Sequence, residues 1–197
     1  MSLKRALFWV FIVLLIDQIS KIYIKTNFLL GEEIHVFDWF RIRFIENEGM
    51  AWGVKLPGDY GKLVLTLFRI VAVGGILYWL NDVVKKNSPK LLTFAIALVL
   101  AGALGNILDS VFYGVIFNES TPNQLAEAFS AEPYGSWFHG KVVDMLYFPI
   151  WEGKLPDWLP IWGGQDFLFF NAIFNLADSA ITVGVAIMIL FNKRLFK

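Results

Sequence analysis

Long apolar runs alternate with polar connections along this chain, and four of the runs can cross about 30 Å of hydrocarbon at roughly 20 residues each. They fall at about residues 6–26, 62–80, 91–113 and 167–191. Four crossings put both termini on one side. Between the first two runs, FRIRF sets Phe40, Ile42 and Phe44 against Arg41 and Arg43, the period of a strand with one apolar face. The pattern therefore predicts a membrane all-α protein, a single unit over residues 1–197, with four transmembrane helices and a small exterior β-sheet. The remaining exterior chain is expected to form interfacial loops.

Composition agrees with the pattern. The 197 residues are 57% hydrophobic and 17% charged, with a mean hydropathy of +0.58, outside the range of soluble globular domains. Cysteine is absent, which excludes disulfides, thiolate catalysis and zinc–thiolate sites. The opening MSLKR and its apolar run resemble a secretory signal, but no small-residue cleavage site follows, so a retained first span is expected. The formal net charge of zero says little by itself, and no nucleic-acid partner is expected.

The basic residues set the expected orientation, because Lys- and Arg-rich loops stay in the cytoplasm. Lys4 and Arg5 precede the first run, Lys85, Lys86 and Lys90 lie around the second connection, and Lys193, Arg194 and Lys197 close the chain. Both termini are then cytoplasmic. The two longer segments, about 27–61 and 114–166, are then exterior and hold most of the acids, Asp59 and Asp144 among them. The second is rich in Trp, Pro and Gly around residues 151–164, which suits an irregular excursion along the interface.

Ionisable groups inside spans are costly and mark function. With a rise of about 1.5 Å per residue, Asp17, Lys21, Arg69, Asn106, Asp109, Asn171, Asn175 and Asp178 all fall in the outer half of the bilayer. The last three, spaced by four and three, would share one helix face. A polar pocket open to the exterior, formed by at least three spans, is implied.

Each group has a bland reading. Asp17 and Lys21, at i and i+4, suit an ion pair that lowers their insertion cost, or a pair that orients a site. Asn106 and Asn175 suit interhelical hydrogen bonding, yet Asn-x-x-Asp recurs at 106–109 and 175–178. Asp144, in KVVDMLYFP, suits a hairpin or cap position. His35 and His139 lack metal-ligand spacing, and HExxH and GxSxG are both missing. Acid and base work by carboxylates is the chemistry that remains.

Five blocks in order, DQISK at 17–21, ENEGMAWG at 46–53, GALGNILDS at 102–110, KVVDMLYFP at 141–149 and FNLADSAI at 174–181, resemble the lipoprotein signal peptidase (signal peptidase II) family. The resemblance implies an aspartic endopeptidase of the bacterial inner membrane, with its active site toward the exterior. It would cleave signal peptides from diacylglyceryl-modified prolipoproteins, N-terminal to the lipidated cysteine. It implies Asp144 and Asp178 as the catalytic pair, with Asp17, Lys21, Asn47, Asn106, Asp109 and Asn175 in support, and neither metal nor cofactor. The partners implied are lipid-modified signal peptides and membrane lipids; oligomeric state is not indicated. Two departures stand out. Ser110 occupies the position where the family commonly has Arg, and the stretches around 115–139 and 151–166 are longer than usual. Arg69, the one other Arg inside a span, either faces the pocket or snorkels to the interface. The rival reading is a small transporter or proton channel with intramembrane carboxylates, which would spread polar groups through the full membrane depth.

Overall fold

The computed structural model describes residues 1–48 and 60–196. Gly49 to Gly53 of the ENEGMAWG block, Asp59 and Lys197 lie outside the described residues.

Helix α1 spans Leu3–Asn27, with the Ser2 hydroxyl accepting from the Arg5 amide at its N-terminus, the ordinary use of serine at a helix cap. Helix α2 spans Gly61–Lys85 and α3 spans Lys90–Leu108. The turn between them uses Asn87 at φ 52°, a left-handed position that asparagine tolerates, and Pro89 just ahead of α3, where its missing N–H costs nothing. A π-helical turn, Asp109–Tyr113, continues α3 into the short α4, Gly114–Ile116. Helix α5 spans Leu176–Leu190, and α6 spans Asn192–Leu195.

The helices α1, α2 and the continuous α3–α4 segment are each long and apolar enough to cross a membrane; α5 is apolar but shorter. The fourth helix begins at Leu176 and not near residue 167, because Asp166–Phe169 and Ile173–Phe174 are strands. Asn171 is therefore not on a helix face with Asn175 and Asp178. Apolarity alone does not separate a buried strand from a helix over so short a stretch.

Strands β1 (Glu33–Phe37), β2 (Phe40–Asn47), β3 (Val142–Tyr147) and β6 (Ile173–Phe174) form one sheet in the order β1-β2-β3-β6. Each neighbouring pair is antiparallel. Strands β4 (Trp151–Lys154) and β5 (Asp166–Phe169) make a separate hairpin. The predicted FRIRF strand is β2, while the excursion after residue 114 contains strands as well as loops.

Helix α3 is the centre of the bundle and packs against α1, α2 and α5. Small residues make that possible: a Cβ added at Gly102 would lie 2.1 Å from the Ala177 carbonyl oxygen, and one at Gly184 would lie 2.6 Å from that of Ala95. Close backbone approach through glycine and alanine is how helices associate where lipid removes the hydrophobic drive.

The sheet has two working faces because side chains alternate along a strand. Phe44, Val143 and Met145 join Ile24, Phe28, Tyr113, Phe117 and Ala126 in a buried cluster. Ile45, Asn47 and Asp144 take the other face by the same alternation.

Candidate active site

The site begins on α1. Lys21 is fully buried and sits 3.0 Å from Asp17 and 2.8 Å from Asp109, while donating to Asn106 Oδ1 at 3.0 Å. One cation thus serves two carboxylates and an amide, which compensates charges that would be very costly alone. Asp17 has a second task. Its Oδ1 accepts from the Ala177 amide at 2.9 Å, so a carboxylate on α1 occupies the N-terminus of α5, where free amides and the helix dipole favour it. The ion pair expected between Asp17 and Lys21 is present, within a wider network than spacing alone suggested.

Asp109 lies in the π-helical turn, a distortion that often accompanies functional positions. It accepts from Gln18 Nε2 at 2.9 Å and from the Val143 amide at 3.3 Å. The second bond ties the end of α3 to β3, the strand that carries Asp144. Gln18 also donates to Asp17 and to the Gly105 carbonyl, and its own carbonyl accepts from the Tyr113 hydroxyl at 3.1 Å. Sequence reasoning passed over Gln18 although it stands inside DQISK. Its only local signal was an amide on the same helix as Asp17 and Lys21.

Two asparagines link the remaining carboxylates. Asn175 is the N-cap of α5, and its Oδ1 accepts from the Asp178 amide at 2.9 Å, the capping geometry that an Asn-x-x-Asp sequence suits. Its Nδ2 donates to Asp144 Oδ1 at 2.6 Å, to Asn106 Oδ1 at 3.1 Å and to the Val143 carbonyl at 3.2 Å. Asn106 Nδ2 in turn donates to Asp178 Oδ1 at 2.7 Å. Asp144 and Asp178 therefore hang from one pair of amides. The Asn47 side chain, on β2, completes the group by donating to Asp144.

Asp144 is only 1% exposed and lies in the middle of a sheet strand, not at a hairpin tip or cap. Burial, and then the nearby Asp178 charge, push its carboxyl up to about 8, against the Lys21 charge and the Asn175 hydrogen bond. Desolvation disfavours the ionised form, and a like charge adds to it. Asp178 is half-buried, so the pair has one enclosed member and one more accessible member.

Helix α2 contributes Arg69, half-buried and electrostatically coupled to Asp178, Asp109 and Asp144. Ser110 is fully buried and spends its hydroxyl on the Asn106 carbonyl at 2.9 Å. Among the described residues, no three His, Asp or Glu side chains gather as metal ligands. His35 lies beside Glu33, and the His139 ring contacts Ser136 and the Trp137 carbonyl.

All eight expected site residues, Asp17, Lys21, Asn47, Asn106, Asp109, Asp144, Asn175 and Asp178, thus fall in one hydrogen-bonded cluster. The fold itself has counterparts among solved structures. A solved structure described as a bacterial membrane enzyme, obtained by the in meso method at 1.9 Å resolution, matches with a TM-score of 0.65 and 25% identity. The match covers 98% of this chain and 94% of that one. A second, at 2.3 Å resolution, matches with a TM-score of 0.63. The fold class is that of a bacterial membrane enzyme.

Sequence comparison names the family. The family model described as signal peptidase (SPase) II matches residues 9–193. The lipoprotein signal peptidase of Porphyromonas gingivalis is 47% identical over 185 residues, 93% of this chain and 80% of that protein. That of Amoebophilus asiaticus is 38% identical over 190 residues, 93% of this chain and 75% of that protein. The chain belongs to the signal peptidase II family, and it is accordingly a peptidase of the bacterial inner membrane.

Proposed function

We propose that this chain is an aspartic endopeptidase that cleaves diacylglyceryl-modified prolipoproteins N-terminal to the lipidated cysteine, with Asp144 and Asp178 as its catalytic pair. The observation that carries the reading is the suspension of both carboxyls from the Asn106–Asn175 amide pair. Two carboxyls held near each other share one proton, and that state contains both a base and an acid. Burial keeps the shared proton on Asp144 at neutral pH. The more accessible Asp178 takes a proton from water as the water oxygen attacks the scissile carbonyl carbon. Asp144 hydrogen-bonds the carbonyl oxygen as charge develops there. Collapse of the tetrahedral intermediate breaks the C–N bond, and the proton on Asp178 passes to the leaving amine of the lipidated cysteine.

Asn47, Asn106 and Asn175 fix the two carboxyls, and Lys21 with Asp17 and Asp109 fixes Asn106 and β3. The basic termini and second connection favour cytoplasmic termini and an exterior-facing site. Contact with membrane lipids at that side is supported by the β4–β5 hairpin. The loop between its strands keeps backbone hydrogen bonds to itself, as in Leu155 to Gln165 and Gly163 to Leu159, while exposing Trp158, Ile161 and Trp162. Aromatic side chains on a self-satisfied backbone suit a headgroup interface. The test is cleavage of a diacylglyceryl-modified prolipoprotein by the purified protein in detergent. The unlipidated precursor should remain intact, and equal cleavage of both would remove the lipid requirement.

A further inference from the structure

The back face of the site sheet carries a second buried ionic cluster, apart from the carboxyls already described. Lys25, one helical turn beyond Lys21 on α1, is fully buried and donates to Glu46 and, at 2.8 Å, to the Ser120 hydroxyl. Ser120 donates to the same Glu46 oxygen at 3.0 Å, so the three close a triangle. The Phe117 and Tyr134 rings lie 5.2 and 5.0 Å from the Lys25 ammonium, and cation–π contact replaces part of its lost hydration. Lys141 approaches Glu46 at 3.6 Å from the other side and pairs with Glu119 at 2.6 Å. Phe117, Glu119, Ser120 and Tyr134 belong to the exterior stretch around residues 115–139, and Lys141 follows it at the start of the KVVDMLYFP block.

Glu46 and Asn47 are neighbours on β2, so their side chains leave opposite faces. Glu46 is held from behind by Lys25 and Ser120, while Asn47 donates forward to Asp144. The ladder agrees: Glu46 pairs with Val143 and Asn47 with Val142, which leaves Asn47 diagonal to Asp144 on one face. A buried ion pair is seldom the most stable way to fill space, but its geometry is specific.

We propose that Lys25 and Glu46 are positioning residues: with Ser120 they clamp β2 from its back face so that the Asn47 amide stays on Asp144. The clamp acts through Asn47 and touches no substrate. It rests on the reading of Asp144 as a catalytic group, but the contact it maintains can be followed without substrate.

Among the described residues, the charged groups that act on Asp144 include Lys21 from α1, Asp109 from the π-helical turn, Arg69 from α2 and Asp178 from α5. None belongs to the clamp, so releasing the clamp changes the Asn47 contact and not this set. An amide that donates to a carboxylate favours its ionised form. Loss of the contact therefore raises the pH at which Asp144 ionises.

The test follows the Asp144 carboxyl by infrared difference spectroscopy, with Asp144→Asn as the blank, in the full-length protein in detergent. The double variant Lys25→Met with Glu46→Gln removes both charges and strands neither, and Ser120→Ala is the milder second variant. The titration midpoint should rise by about half a pH unit or more in the double variant, and by less in Ser120→Ala. Asn47→Ala should give a rise of the same sign, and adding the double change to it should give none further. A midpoint in both clamp variants that coincides with wild type would overturn the proposal and leave the cluster a structural ion pair. Additive shifts would overturn it too, because the clamp would then act by another route. Loss of cleavage in the wild-type protein would count against the proposed function and leave this titration readable.

Discussion

Replacement of Lys21 by methionine keeps an unbranched side chain of nearly the same length and removes its charge, so it isolates what the cation does. In the native protein Lys21 is fully buried, 3.0 Å from Asp17 and 2.8 Å from Asp109. Without it, two buried carboxylates face each other across a site they share with Gln18. Breaking one partner from a buried pair costs about 3–5 kcal/mol. For a chain of this length each kcal/mol is worth roughly 2–4 °C, so Lys21→Met should unfold roughly 6–20 °C lower. Asp17 would still accept from the Ala177 amide and Asp109 from the Val143 amide, so the change should weaken the bundle without dissolving it. Adding Asp109→Asn removes one orphaned charge and keeps an oxygen for Gln18; at least half the loss should return. Thermal unfolding of purified protein in one detergent measures all three proteins. A Lys21→Met midpoint within a degree or two of wild type, or a double variant no better than the single one, would refute the view that this lysine compensates both acids.

Turnover of a lipidated prolipoprotein should fall as pH rises through about 8, because the proton that burial keeps on Asp144 is then lost. The sign for stability is the same: the folded carboxyl holds a proton that the unfolded chain releases near pH 4, so stability should decline with rising pH from there to about 8. Unfolding midpoints that climb over that window would contradict the burial of this group. Gly102→Ala should abolish assembly or strongly destabilise the protein, since its Cβ would stand 2.1 Å from the Ala177 carbonyl oxygen; repacking strain of this kind costs about 1–3 kcal/mol or more. Wild-type thermal stability of that variant in detergent would mean that α3 and α5 do not meet there.

The helices were legible because membrane spans obey one strong rule, a run of apolar residues long enough to cross. The start of α5 was not, since residues 166–174 are equally apolar whether they form strands or a helix. Asn175, read from the sequence as an interior position of the last span, is instead the N-cap of α5. Asp17 and Lys21 could be paired from spacing, because i and i+4 meet on any helix. Their reach to Asp109 and Ala177 needed the fold. Lys25 and Glu46 carried no signal of their own, being ordinary charges near the end of a span and within a strand. Only tertiary packing, with Ser120 and Tyr134 brought over them, makes them a buried pair. The family blocks singled out Asp144, whose own sequence surroundings suggested only a hairpin or cap position, whereas it lies within β3.

The most direct measurement is cleavage of a diacylglyceryl-modified prolipoprotein by the wild-type chain, Asp144→Asn and Asp178→Asn, each purified in detergent and checked for intact folding. The acid–base pair requires that the wild type releases the signal peptide and that both variants, each lacking half of the pair, fall by about a hundredfold or more. Substantial turnover by either folded variant would take that residue out of the catalytic pair and contradict the mechanism.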